Sequence, residues 1–203
     1  MSKINGIYAA SVSILDENLK LDIHKTIRHA ENLIKSGCHG VVIFGSTGQS
    51  QLISLEEKFE LIQNISKSIF KDKFIIGTGL NSLQDTISLI KISNSYNFNN
   101  FLIMPPAYYM YEDKDVIRFY IKLIEKLSNC KIILYNFEKL SGYKFSKESV
   151  EKLVSLFPEN IIGVKDSSYN LFENLKLKNF SILPGSELKL LKGLEIGCSG
   201  IIT

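Results

Sequence analysis

The chain has 203 residues, 45% of them hydrophobic and 22% charged, with four prolines, which places it among ordinary globular proteins of one large or two small domains and excludes a disordered or collagen-like chain. Its net charge of +3 rests on scattered lysines, and the only arginines are Arg28 and Arg118, which argues against nucleic acid as a partner. Cys38, Cys130 and Cys198 are too few and too widely spaced for a disulfide framework or a zinc site, so a reducing, cytoplasmic setting is expected.

Along the chain, short β-rich runs alternate with helical patterns. The first run, Gly6–Ser13, is broken by Ser11 and Ser13 and reads as a strand rather than a signal segment. Ile23, Ile27, Ala30 and Ile34 then repeat at helical spacing before Gly37. The run Gly40–Gly45 follows, and a helix opens at Ser54, whose partner Glu57 gives capping-box spacing. After Phe74–Gly79, the same spacing between Asn81 and Gln84 predicts a second capped helix. Phe101–Pro105, Lys131–Tyr135, Ile161–Lys165, Phe180–Pro184 and Gly200–Thr203 complete eight candidate strands. No apolar stretch of about eighteen residues exists, so no membrane segment is expected.

Alternating strands and helices imply an α/β protein with a parallel sheet, and eight strands favour a closed (β/α)8 TIM barrel spanning residues 1–203 as a single domain. An open doubly wound sheet is the alternative, because periodicity alone does not reveal closure. Such barrels take about 250 residues, so a chain stopping at Ile201-Ile202-Thr203 reads as truncated within its eighth strand, without the final helix.

In a parallel barrel the chemistry sits where strands end, and three ends carry polar residues. Gly45-Ser46-Thr47-Gly48-Gln49 reads either as a tight turn or as a cradle of N–H and hydroxyl donors for a carboxylate or phosphate. Lys165 ends the apolar run Ile161–Val164; burial there would lower its pKa toward that of an amine nucleophile, although a snorkelling lysine or a partner of Asp166 fits the same position. Tyr135 closes another apolar run, as a proton relay or simply a buried ring. Tyr108 and Tyr109, after Pro105-Pro106-Ala107, are equally open between packing and a site wall.

Taken together, Gly-Ser-Thr-Gly after the second strand, Tyr-Asn after the fifth and Gly-Val-Lys-Asp after the sixth resemble the dihydrodipicolinate synthase/N-acetylneuraminate lyase family of Schiff-base aldolases. Gly77–Ser82 and Gly185-Ser186-Glu187 extend the resemblance from Gly6 to Thr203. The resemblance implies a pyruvate site in which Lys165 forms an imine, Tyr135 moves the proton, and Ser46 and Thr47 hold the carboxylate with their backbone N–H groups. It further implies that Thr47 links Tyr135 to a Tyr109 donated by a neighbouring subunit of a homo-oligomer, a dimer or tetramer, and that no metal or organic cofactor is needed. Gly48, Ser167, Gly185, Ser186, Glu187 and Ile202 fall around the substrate by the same comparison.

The substrate is read from departures. The arginine that synthases of the family carry five residues after the tyrosine is Leu140 here, and the neighbouring Lys139, on an extended segment, is expected to point away. Gln49 stands where a glutamate is common, and Glu138 where sialic acid lyases have proline. These features favour cleavage of a 2-keto-3-deoxy sugar acid, such as N-acetylneuraminate or 2-keto-3-deoxygluconate, with Ser141, Ser167, Ser186 and Glu187 as polyol contacts. The alternatives are condensation of pyruvate with aspartate semialdehyde, or a noncatalytic or truncated keto-acid-binding relative. A phosphate-sugar isomerase on the same barrel is disfavoured by Glu187, an acid where phosphate would bind.

Overall fold

The structure is a computed structural model that describes residues 3–127 and 129–203. All eight expected strands form: β1 Gly6–Ala10, β2 Gly40–Ile43, β3 Phe74–Gly77, β4 Asn100–Ile103, β5 Lys131–Asn136, β6 Ile161–Asp166, β7 Ser181–Pro184 and β8 Gly200–Ile202. They pair in parallel in the order β7-β6-β5-β4-β3-β2-β1-β8. This is the expected (β/α)8 barrel rather than an open sheet. Its remaining seam, between β7 and β8, has no ladder and is bridged by one backbone bond, from Ser199 N–H to the Ile182 carbonyl at 2.9 Å.

Among the described residues, seven helices flank the strands: α1 Ile23–Lys35, α2 Leu55–Ile65, α3 Leu83–Ser95, α4 Asp113–Ile124, α5 Glu138–Ser141, α6 Lys147–Leu156 and α7 Leu190–Glu195. None is long and apolar enough to cross a membrane. The Ser54–Glu57 capping box forms as expected, and Glu57 also accepts the Leu21 N–H at 2.8 Å. The cap of α3 lies one residue later than the spacing predicts. Ser82, not Asn81, accepts the N–H of Asp85, because the Asn81 side chain is taken by the Ala107 N–H at 2.9 Å. Between β6 and β7 the chain turns without an α-helix.

Alternation along the strands separates two cores. Outward residues such as Ile43, Phe101, Ile132 and Val164 pack under the helices, while Val42, Ile75, Leu102, Ile133, Leu183 and Ile202 fill the barrel interior. The strands are buried on both faces, which is why they read in the sequence as continuous apolar runs.

Candidate active site

Two interruptions of strand geometry build the site. The first is Phe44, directly after β2, with φ +55°, a left-handed conformation that strains a bulky side chain. It breaks the alternation, so Ile43 and Phe44 both pack outward, and the following Gly45–Gly48 turn swings over the mouth of the barrel. At Gly48 any Cβ would lie 2.9 Å from the Ser11 carbonyl, and the Ser13 hydroxyl donates to the Gly48 carbonyl at 2.6 Å, so the turn is held against β1. The Thr47 and Gly48 N–H groups donate to no acceptor among the described residues, and Thr47 is exposed.

The second interruption is a bulge in β6. Ile132 pairs with Ile161 but Ile133 pairs with Gly163, leaving Ile162 as an extra residue. Ile162 faces inward and Val164 outward, with the alternation reset between them. Strict alternation from Ile161 would turn Lys165 outward; the bulge turns it into the barrel, opposite Tyr135 in the ladder. Bulges of this kind commonly re-aim a side chain beside a site.

Lys165 and Tyr135 are almost fully buried. The Lys165 amine donates to the Tyr135 hydroxyl at 3.2 Å and lies 4.4 Å from its ring centroid. That hydroxyl in turn shares a hydrogen bond of 2.8 Å with the Ser46 hydroxyl. Burial lowers the Lys165 pKa from 10.5 to about 8. Near neutral pH that leaves a far larger share of the amines neutral than in an ordinary lysine. Burial also raises the Tyr135 pKa, and hydrogen bonds from Ser46 and Ser167 offset part of the rise. The result is a nucleophilic amine in contact with a protonated phenol that can pass a proton toward the mouth.

The amine opens into a cavity of about 450 Å³ at the C-terminal ends of the strands, lined by Ser46, Thr47, Tyr135, Ser167 and Gly185 among the expected residues. The hydroxyl that meets Tyr135 belongs to Ser46 rather than to Thr47, which sits at the rim. Tyr109 is not brought to the site within this chain: it is 66% exposed, edge-on to Tyr108, whose backbone has φ +84°. Ile202 is fully buried in the inner core with Tyr135, and Thr203, one residue on, lines the cavity. Ser186 and Glu187 lie at the edge, occupied respectively with the Leu188 N–H and the Thr203 hydroxyl.

Two further expectations fail around α5. Residues 138–141 are helical rather than extended, so Lys139 lines the Lys165 cavity instead of pointing away. Ser141 is buried, with its hydroxyl within hydrogen-bond reach of the Phe137 and Tyr143 carbonyls, and it does not line the Lys165 cavity. Leu140 enters a second cleft of about 270 Å³, lined by Phe44, Leu52, Leu102 and Met104, which shares Ser46 and Tyr135 with the first. Phe137, Ser168 and Tyr169 also line the larger cavity. Their positions two to four residues past a strand end are the one signal that could have found them.

Fold and site together define a (β/α)8-barrel protein with a desolvated amine at the catalytic end of the barrel. More particularly, residues 3–203 match the model of the dihydrodipicolinate synthetase family, and the chain belongs to that family. It is 31% identical over 195 residues to 4-hydroxy-tetrahydrodipicolinate synthase of Listeria monocytogenes, covering 93% of this chain and 64% of the relative, so it spans just under two thirds of that protein's length. The corresponding synthase of Karelsulcia muelleri is 28% identical over 211 residues, covering all of this chain and 70% of the relative. Among solved structures, dihydrodipicolinate synthase from Agrobacterium tumefaciens superposes with a TM-score of 0.90 at 26% identity, covering 98% of this chain and 72% of that one. A 2-keto-3-deoxygluconate aldolase from Picrophilus torridus shares the fold, with a TM-score of 0.89 at 24% identity, covering 98% of this chain and 73% of that one.

Proposed function

We propose that the chain supplies the catalytic barrel of a pyruvate-dependent Schiff-base aldolase or lyase. The observation that carries this reading is the depressed amine of Lys165 in hydrogen-bond contact with Tyr135 and, through it, with Ser46. The neutral amine attacks the keto carbon of a 4-hydroxy-2-keto acid, water leaves, and a protonated imine forms. Tyr135, which gives its own proton to the departing water as the protonated imine forms, then takes the proton of the 4-hydroxyl as a phenolate; the C3–C4 bond breaks, and its electron pair moves toward the imine to leave an enamine and a free aldehyde. Protonation at C3 and hydrolysis then release pyruvate. The free N–H groups of Thr47 and Gly48, with the Ser46 hydroxyl, suit the pyruvyl carboxylate. No metal or organic cofactor takes part in this scheme.

For the second half of the substrate, a 2-keto-3-deoxy sugar acid is supported by the hydroxyls of Thr47, Ser167, Ser168 and Thr203 on the cavity wall and by the apolar Leu140. Lys139 on the same wall supports the other reading, condensation with aspartate semialdehyde, by offering a cation for its carboxylate. The exposed Tyr108, Tyr109 and Met110, at 87%, 66% and 88%, support a homo-oligomer, dimer or tetramer, in which one subunit's tyrosine reaches its neighbour's site. The three free cysteines fit a reducing cytoplasm.

Pyruvate with borohydride should add one reduced pyruvyl group at Lys165, and Lys165→Ala should abolish labelling. Tyr135→Phe should keep the adduct and lower turnover by about 10²–10⁴. An adduct on another lysine, or none in folded protein, overturns the mechanism. Pyruvate release from 2-keto-3-deoxygluconate and N-acetylneuraminate, set against condensation with aspartate semialdehyde, decides the substrate. Labelling without turnover of any of them would make the chain a noncatalytic keto-acid binder.

A further inference from the structure

Directly alongside the inward pair Tyr135–Lys165, the next rung of the β5–β6 ladder is the outward pair Asn136–Asp166, and both of its side chains are fully buried. The Asn136 side-chain amide donates to Asp166 Oδ1 at 2.8 Å and to Asn170 Oδ1 at 2.8 Å, while its own Oδ1 accepts the Phe145 N–H at 3.1 Å. Asp166 Oδ1 also accepts the Tyr169 N–H at 2.9 Å, and its Oδ2 accepts the N–H groups of Leu171 and Phe172 at 2.8 and 2.9 Å. The two side chains thus bind β5, β6, the 143–145 segment and the whole 167–172 loop into one knot. Among the described residues no lysine or arginine pairs with Asp166, and four N–H donors hold the carboxylate.

We infer that Asn136 and Asp166 are positioning residues for the Schiff-base chemistry: they lock the register that the Gly163 bulge creates and close the 167–172 loop over Lys165, keeping its amine against Tyr135 and away from bulk water. Three observations require such a lock. A bulged ladder offers an alternative register one residue away, in which Lys165 would oppose Asn136 rather than Tyr135. The loop that the knot closes carries Ser167 and Tyr169, both on the wall of the Lys165 cavity. Finally, a buried polar network is costly unless every member is satisfied, and here every side-chain oxygen and nitrogen of the pair has a partner.

The inference rests on Lys165 as the reactive amine, and its test does not need pyruvate. The ionisable groups sharing the Lys165 cavity are Tyr135 from β5, Glu138 and Lys139 from α5, and Tyr169 from the loop; Glu138 is paired with Lys144 at 2.8 Å. None of these is altered by Asn136→Ala or Asp166→Asn. Competitive trace acetylation of the protein across pH 6–11, read by mass spectrometry at Lys165, gives the midpoint at which the amine becomes reactive. If the knot excludes water, Asn136→Ala should move that midpoint upward by about one pH unit, toward an ordinary lysine, and Asp166→Asn should move it upward by less, because it also removes a buried negative charge that favours the ammonium. The double variant should move it no further than the larger single change, because the two residues act as one unit. Tyr143→Phe, which removes a hydrogen bond to Asp113 in a neighbouring segment, is the structural control and should leave the midpoint in place.

Folded variants whose Lys165 midpoint stays at the wild-type value overturn the inference, as does an equal shift in Tyr143→Phe. Should Asp166→Asn fail to fold, Asn136→Ala leaves Asp166 its three backbone donors and reads the same quantity. Absence of a pyruvate adduct on the wild-type protein, with the acetylation shifts intact, would strike the Schiff-base reading alone.

Discussion

Lys58 and Lys165 are both buried, both have pKa values lowered to about 8 by loss of solvent, and only one of them faces a cavity. Lys58, on α2, is fully buried, donates to the Thr78 carbonyl at 3.1 Å and lies 5.7 Å from the Phe44 ring. With one oxygen acceptor for three donors, its charged form is poorly satisfied. In the unfolded chain the same amine titrates near 10.5, so the unfolded state binds more protons between about pH 8 and 10.5, and stability rises with pH across that window. Below pH 8 the folded state bears the full cost of a buried ammonium. Lys58→Met should therefore raise the melting temperature at pH 7, by about 2 kcal/mol of stability, and the gain should fade toward pH 10.5. The Thr78 carbonyl keeps its second donor, the Ser50 hydroxyl at 3.1 Å, so no acceptor is orphaned. Melting curves at pH 7 and 10 check this, and an equal gain at both would mean that the folded and unfolded chains bind the same number of protons across that range, so that folding does not lower the Lys58 pKa.

Among the elements, β6 does what its composition hides. Ile161-Ile162-Gly163-Val164-Lys165-Asp166 reads in sequence as a plain buried strand, and its end is legible as a candidate site because an apolar run terminates in a lysine. The direction of that lysine is not legible, since it depends on one extra residue opposite β5. Gly163 is the residue that permits it: a Cβ there would lie 2.6 Å from the Ser181 carbonyl on β7, a backbone atom that cannot step aside. Gly163→Ala should lower stability by about 2 kcal/mol or more and reduce pyruvate labelling of Lys165 even where the protein remains folded. Denaturant melts and borohydride trapping measure the two effects; full labelling with normal stability would show that β6 tolerates a side chain there. Elsewhere the sequence misleads for local reasons. Four helical residues after Phe137 are too few for periodicity to register, and so Lys139 takes the opposite direction from that of an extended segment. Ser141 reads as an exposed hydroxyl but is consumed by the carbonyls of its own turn. The eight strands and the Ser46, Tyr135 and Lys165 ends were legible, because parallel strands buried on both faces leave unbroken apolar runs whose ends are conspicuous.

Across the whole molecule, cooperativity should follow the ladder. Strands β1 to β6 each pair on both sides, whereas β7 pairs only with β6 and β8 only with β1, the β7–β8 seam being bridged by the single Ser199–Ile182 bond among the described residues. The helix between those two strands, α7, is six residues long and leaves Leu191 76% and Leu194 52% exposed, with Leu188 just before it 84% exposed. Little apolar burial therefore opposes opening at this edge, while the β3–β5 centre is sealed beneath α2, α3 and α4. The site straddles the two regimes, because Lys165 and Tyr135 stand on doubly paired strands and Ser46 in the turn after another, whereas Gly185 and Thr203 stand at the seam. Native-state hydrogen exchange read by mass spectrometry should show residues 186–203 exchanging about 100-fold faster than residues 131–136 and 74–77, corresponding to about 2.7 kcal/mol less opening free energy. Binding of pyruvate as an imine on β6 should leave the 186–203 rate nearly unchanged if the seam opens on its own. Uniform protection across all these segments would instead mean that the barrel opens as one unit, with its stability shared through the cores rather than through strand pairing.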